Sequence, residues 1–335
     1  MESSVDALLN FISEDCCVSV EVMLLEGLQV SETFKLCDGV YLAELKDVPS
    51  ESLRHFMDNF SSKSLPPSPM AKTFNADDSE RPKLPDSALF RVKEIRPKFF
   101  DADNPKWEKF DVEDMSLLED VSNLLTLIGP SSPIVRRRYW DLKDGSLMSD
   151  FTGRIAGAQP AGTKVFSAHM AKKHEVEGFK IVLEKYLQLS VPERKRFDVP
   201  LHRLNKAVRH EINQGPKDAL QDKAIDLAIA LESLLLSDQN DGVQLSLNLR
   251  LRGAWLAGGD VARRQEVFKL LGIIYNARSR AVHSGAVPSK QRDEVELSLQ
   301  KGLVLCADLI SKVIATPPDW QLLILGGGVA PATPI

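Results

Sequence analysis

The chain has 335 residues, 43% hydrophobic and 27% charged. That is enough apolar material for a sizeable core shared between two domains, and it excludes a disordered or fibrous protein. A formal net charge of −5 excludes a wholly basic nucleic-acid coat and confines any RNA contact to a local patch.

The opening "MESSVDALLNF" carries no basic run, and no apolar stretch approaches the ~18 residues of a membrane span. A cytoplasmic protein without a membrane partner is expected. Cys16, Cys17, Cys37 and Cys306 lack zinc or redox spacing and read as reduced, mostly buried thiols. Neither a metal nor a cofactor is expected.

Residues 17–46 are β-branched and apolar runs broken at Glu26-Gly27 and Asp38-Gly39, the pattern of short antiparallel strands. Residues 61–85, rich in proline and serine, sustain neither helix nor central strand and read as an exposed loop. "ALFRVKEI" then reads as a strand, and "VEDMSLLEDVSNLLTLIG" as an amphipathic helix closed by Gly129. "IVRRRYWDLKDGSLMSDF" reads as a hairpin turning at Asp144-Gly145. This first half, residues 1–152, is a mixed, strand-rich domain. "TGRIAGAQPAGTK" has no periodicity and opens a linker over 153–170.

From 171 to 318 nearly every segment is helix-patterned, followed by a tail over 319–335. The fold class is therefore α+β, a strand-rich domain followed by an all-α bundle. Val295, Leu299, Leu303, Cys306, Ile310 and Val313 recur at spacings of four and three, a seam suited to an antiparallel bundle.

Several local patterns carry chemistry on paper. "GAQPAGTK" imitates a phosphate-cradling loop but has threonine before lysine and no strand ahead of it, so it reads as linker. His169 and His174 lack the spacing that puts two ligands on one helical face. "RRRYW" at 136–140 joins cations to rings, as single-strand binding requires. An edge strand with solvated arginines explains the run without any ligand. Arg203, Lys206 and His210 fall at i, i+3 and i+7, a basic stripe able to track an RNA backbone or simply to face water.

The segment "VFKLLGIIYNARSRAVHSG" is the most informative. Val267, Leu271 and Ile274 form a buried stripe that Arg278 and Ala281 continue, so an arginine points where the helix should be buried. Buried arginine requires a partner. Glu232 and Asp226, the two acids that interrupt the apolar helix "AIDLAIALESLLLS", are the available ones. His283 lies in the last turn before Ser284-Gly285, where the helix dipole favours a cation. Five residues of helix separate it from Arg278 by about 140°. The two meet only if the helix end is distorted or if a second helix, such as a partner's, contributes.

"RSRAVH" matches the R-x4-H signature of HEPN domains, and "AIDLAIALESLLL" with "RRQEVFKLLGIIYNARSRAVHSG" resembles their Apea-like subgroup over roughly residues 175–316. The resemblance implies a HEPN-like bundle of four or five helices that pairs through its motif helices as a homodimer. It often implies a metal-independent endoribonuclease of phage defence, abortive infection or toxin systems. Carried over, Arg278 and His283 are the catalytic residues. Ser279 stands where many members have Asn, Asp or His. Ser279, Arg280, Tyr275 and Glu232 are supporting or substrate-positioning candidates, and Arg203, Lys206 and His210 are backbone contacts. Some members only bind RNA or nucleotide, and a helical dimerisation platform is a further alternative. The first domain, which resembles no family, is expected to sense a phage-derived or cellular trigger.

Overall fold

The computed structural model describes residues 17–50, 53–54, 57, 85–95, 112–142, 168–209, 216–238, 244–284 and 292–325. The expected loop at 61–84, the return strand of the hairpin after Leu142, linker residues 153–167, His210 and Gly285 lie outside them. The chain divides into two compact units, Met1–Glu119 with Ile134–Thr163, and Asp120–Pro133 with Lys164–Ile335.

The first unit is built on a five-stranded sheet of β1 (Cys17–Glu26), β2 (Phe34–Cys37), β3 (Val40–Ala43), β4 (Ser87–Ile95) and β5 (Ile134–Leu142), in the order β2-β3-β4-β1-β5. Every pairing is antiparallel. The chain turns where its glycines predict: Gly27 and Gly39 have φ of 95° and 70°, a region that L side chains with a Cβ rarely enter. Val20, Val22 and Leu24 of β1 join Ala43, Ala88 and Phe90 in one core, with Tyr41 stacked on Phe90 at 5.1 Å between ring centroids. Met23 and Leu25, on the opposite face of β1, are buried as well, which explains the unbroken apolar run of this interior strand.

Two of the three arginines of "RRRYW" depart from the solvated reading, while Arg137 is exposed. Among the described strands β5 stands at the edge of the sheet, yet Arg138 is only 7% exposed. Its guanidinium donates to Glu21 of β1, from Nε at 2.7 Å, and to Glu119 at 2.6 Å. Arg136 pairs with Glu26. Both arginines lie diagonally across the ladder from acids of β1, so they are ion-paired and not poised for nucleic acid.

The helical unit contains α2 (Lys173–Gln188), α3 (Val191–Lys195), α4 (Asp198–Arg209), α5 (Pro216–Leu235), α6 (Leu245–Ala257), α7 (Val261–Ser284), α8 (Arg292–Ala315) and α9 (Trp320–Ile324). It also takes a segment assigned from sequence to the first domain. Helix α1 (Val112–Leu124) runs into a 3-10 turn, Leu125–Leu127. Residues 120–133 belong with the bundle. Leu124, Leu125 and Ile128 are buried, Asn205 of α4 donates to Thr126 Oγ1 at 2.9 Å and the Pro133 carbonyl at 3.1 Å, and Arg194 reaches Asp120. The tail expected from 319 likewise begins inside the bundle. Asp319 accepts the Leu322 N–H at 3.0 Å, Leu323 is buried, and Arg252 of α6 lies over the Trp320 ring.

The seam of α8 is as its spacing predicts, with Val295, Leu299, Leu303, Cys306, Ile310 and Val313 all buried. Burial pushes the Cys306 thiol up to about 12, so it packs as a small hydrophobe. At Gly302 of α8 an added Cβ would stand 2.5 Å from Ile274 Cδ1 and 2.9 Å from Leu227 Cδ2. Both neighbours are fully buried and cannot swing aside. Gly302→Ala is therefore expected to destabilise the fold by up to about 2 kcal/mol, because overpacking of about 1–3 kcal/mol outweighs the ~1 kcal/mol of helix propensity gained. A urea midpoint at or above that of the parent chain would refute this close approach.

Candidate functional site

Helix α7 is started by Asp260, whose carboxylate accepts the Arg263 N–H at 2.8 Å, and it packs against α5, α6 and α8. On its α6 side the Arg250 guanidinium lies 3.8 Å over the Phe268 ring, and Arg264 lies 4.1 Å over Trp255. These stacks fix the rotation of the helix. The expected stripe is in place: Val267, Leu271, Ile274, Ala277 and Ala281 are buried.

Arg278 sits at the edge of this stripe, half-buried. Its Nη2 lies 3.9 Å from Glu232 Oε2 of α5, with the two side chains 32% and 26% exposed. That distance is a charge contact and too long for a hydrogen bond. Arg278 Nε is buried without a hydrogen-bond partner. Glu232 is pushed above the usual carboxylate range by burial, and Arg278 opposes that shift. The other acid suggested by the sequence is engaged elsewhere, because buried Asp226 accepts from Arg203 Nη1 at 2.6 Å.

His283 is exposed in the final turn. The helix runs to Ser284 as regular α-helix, so Arg278 and His283 leave it about 140° apart. Within one chain they do not face the same point. Ser279 and Tyr275 are half-buried and Arg280 is exposed; these three flank Arg278 along α7.

Two residues of the α4 stripe are described. Arg203 is held by Asp226, Lys206 is half-buried, and His210 is outside the described residues. Sequence reasoning overlooked His202 on the same helix. Partial burial, then Lys206, Arg203 and Arg209, hold it below the usual histidine range, with Asp226 opposing them. The spacing of "HRLNKAVR" contained that signal.

His169, set aside as a metal ligand, contacts Glu175 at 3.0 Å. Glu175 also accepts the Lys172 N–H at 2.8 Å at the start of α2. Partial burial would raise this carboxyl, but the bonds from Lys172 and His169 outweigh it and hold Glu175 below the usual range. The pair is a helix cap. Among the described residues no group of three His, Cys, Asp or Glu stands together as a metal site, and no helix is long and apolar enough to cross a membrane.

A groove of about 980 Å³ opens between the 125–130 turn, α2, α7 and α8, with Phe179, Val182 and Leu270 among its apolar lining. None of Tyr275, Arg278, Ser279, Arg280 or His283 lines it.

No family model, no curated protein and no solved structure matches the chain.

Proposed function

We propose that the protein is a cytoplasmic endoribonuclease of HEPN type, acting in phage defence or as a toxin. In this reading two copies pair through α7, so that Arg278 of one and His283 of the other form each site. The strand-rich unit senses the trigger. The observation that carries the proposal is the incomplete pairing of Arg278. Arg138, more deeply buried, closes on Glu21 and Glu119 at hydrogen-bond distance, as a structural ion pair does. Arg278 instead meets its acid only as a charge contact, 3.9 Å from Glu232, with an Nε that, like that of Arg252, is buried and unbonded.

The chemistry asked of these residues is modest. An RNA 2′-hydroxyl attacks the adjacent phosphorus and expels the 5′-oxygen, leaving a 2′,3′-cyclic phosphate and a 5′-hydroxyl. The protein moves protons, for which histidine is suited near neutrality. It also steadies the charge on the phosphorane oxygens, for which a planar guanidinium is suited. Cleavage of RNA by the purified chain should therefore persist in the presence of a chelator and yield these ends.

A mixing experiment tests the shared site. Arg278→Ala and His283→Ala proteins are expected to be inactive alone. Mixed under subunit exchange, half of the dimers are hybrid and each has one intact site of two, so about a quarter of the parent rate returns. No recovery in a mixture shown to contain hybrids would sink the two-chain site.

A further inference from the structure

We propose that Glu232 is a resident anion of the RNA site, which a phosphodiester displaces from Arg278. This inference rests on the ribonuclease reading above. Glu232 holds the guanidinium by charge at 3.9 Å while Arg278 Nε stays buried and unbonded. A well-formed arginine–carboxylate pair would close on two N–H groups at about 2.8 Å. The fork is therefore kept in place without being satisfied, and a phosphate oxygen has donors to gain by replacing the acid. Both side chains keep a path to solvent along which the exchange can occur.

Among the described residues, Arg278 of α7 is the cation whose charge is felt at Glu232. Helix α4 presents Arg203 to Asp226. Helix α6 presents Arg252 to Asp238 and Arg250 to the Phe268 ring. Helix α8 sets Lys312 on Asp308 and the Ala257 carbonyl. Burial already favours the neutral acid, and loss of Arg278 favours it further. Glu232 then takes a proton from solvent as RNA binds. The complex holds more protons than the free protein, so affinity rises as pH falls and weakens as pH rises.

The test uses the full chain and a 2′-O-methyl single-stranded RNA that cannot be cleaved, followed by fluorescence anisotropy at fixed salt from about pH 8 down to about pH 5. The parent protein is expected to bind more tightly as pH falls. Glu232→Gln should bind roughly fivefold or more tightly at the upper end and converge with the parent at the lower end, where the native acid is neutral too. Glu232→Ala should behave in the same way and guards against an amide that folds poorly. His283 and the other histidines are common to all three proteins, so the difference between the curves isolates Glu232. Coincident curves, with RNA bound in every case, would overturn the resident anion and leave the ribonuclease reading intact. Failure of the parent protein to bind RNA at all would overturn both.

Discussion

His283→Ala is expected to slow RNA cleavage by about 10²-fold or more, the loss that follows removal of general acid–base help, while the melting temperature and the dimer stay as they were. The imidazole is exposed in the last turn of α7, so it contributes little packing. Initial rates on fluorescent RNA, beside thermal melts and light scattering of the same preparations, separate the two effects. A variant that cleaves at the parent rate would leave His283 as a solvated helix end and return the proton transfer to some other group.

The elements that could be read from the sequence are those fixed by neighbours in the chain. The seam of α8 is set by a spacing of three and four, and each of its six predicted residues is buried. The turns at Gly27 and Gly39 follow from a backbone conformation that only glycine adopts freely. What stayed hidden depends on partners far away in sequence. Arg138 looks solvated until Glu21, 117 residues earlier, is laid beside it. Residues 120–133 read as part of the strand-rich half until Asn205, 79 residues beyond Thr126, bonds to them. The short helix α9 carries too few residues for a period to emerge, and its place is decided by Arg252 and Trp320.

The candidate site divides along the same line. That Arg278 belongs at a buried face was legible from the stripe it continues, and so was the need for an acid on the "AIDLAIALESLLLS" helix. Which acid was not legible, because Asp226 and Glu232 interrupt that helix equivalently as far as periodicity can tell. The fold settles it through Arg203, which occupies Asp226 and leaves Glu232 to Arg278. The basic stripe of α4 loses one of its members to the same contact. A stripe drawn on one helix cannot register the demands of the helix packed against it.

Arg278→Lys is expected to fold and dimerise as the parent does and to be nearly inactive, with cleavage down by about 10²-fold or more, the scale of losing a donor to developing oxyanion charge. The contact with Glu232 spans 3.9 Å and is one of charge, which an ammonium supplies as well as a guanidinium does. What lysine lacks is the planar fork, including the Nε that lies buried and unbonded beside the acid, and that fork is what grips two phosphate oxygens at once. Arg278→Ala does not separate these roles, since it removes the fork and also leaves Glu232 without its cation. Lysine keeps one and removes the other. If the purified lysine dimer cut fluorescent RNA at the parent rate, charge balance with Glu232 would be the whole task of Arg278, and the grip on the phosphate would fall to some other group.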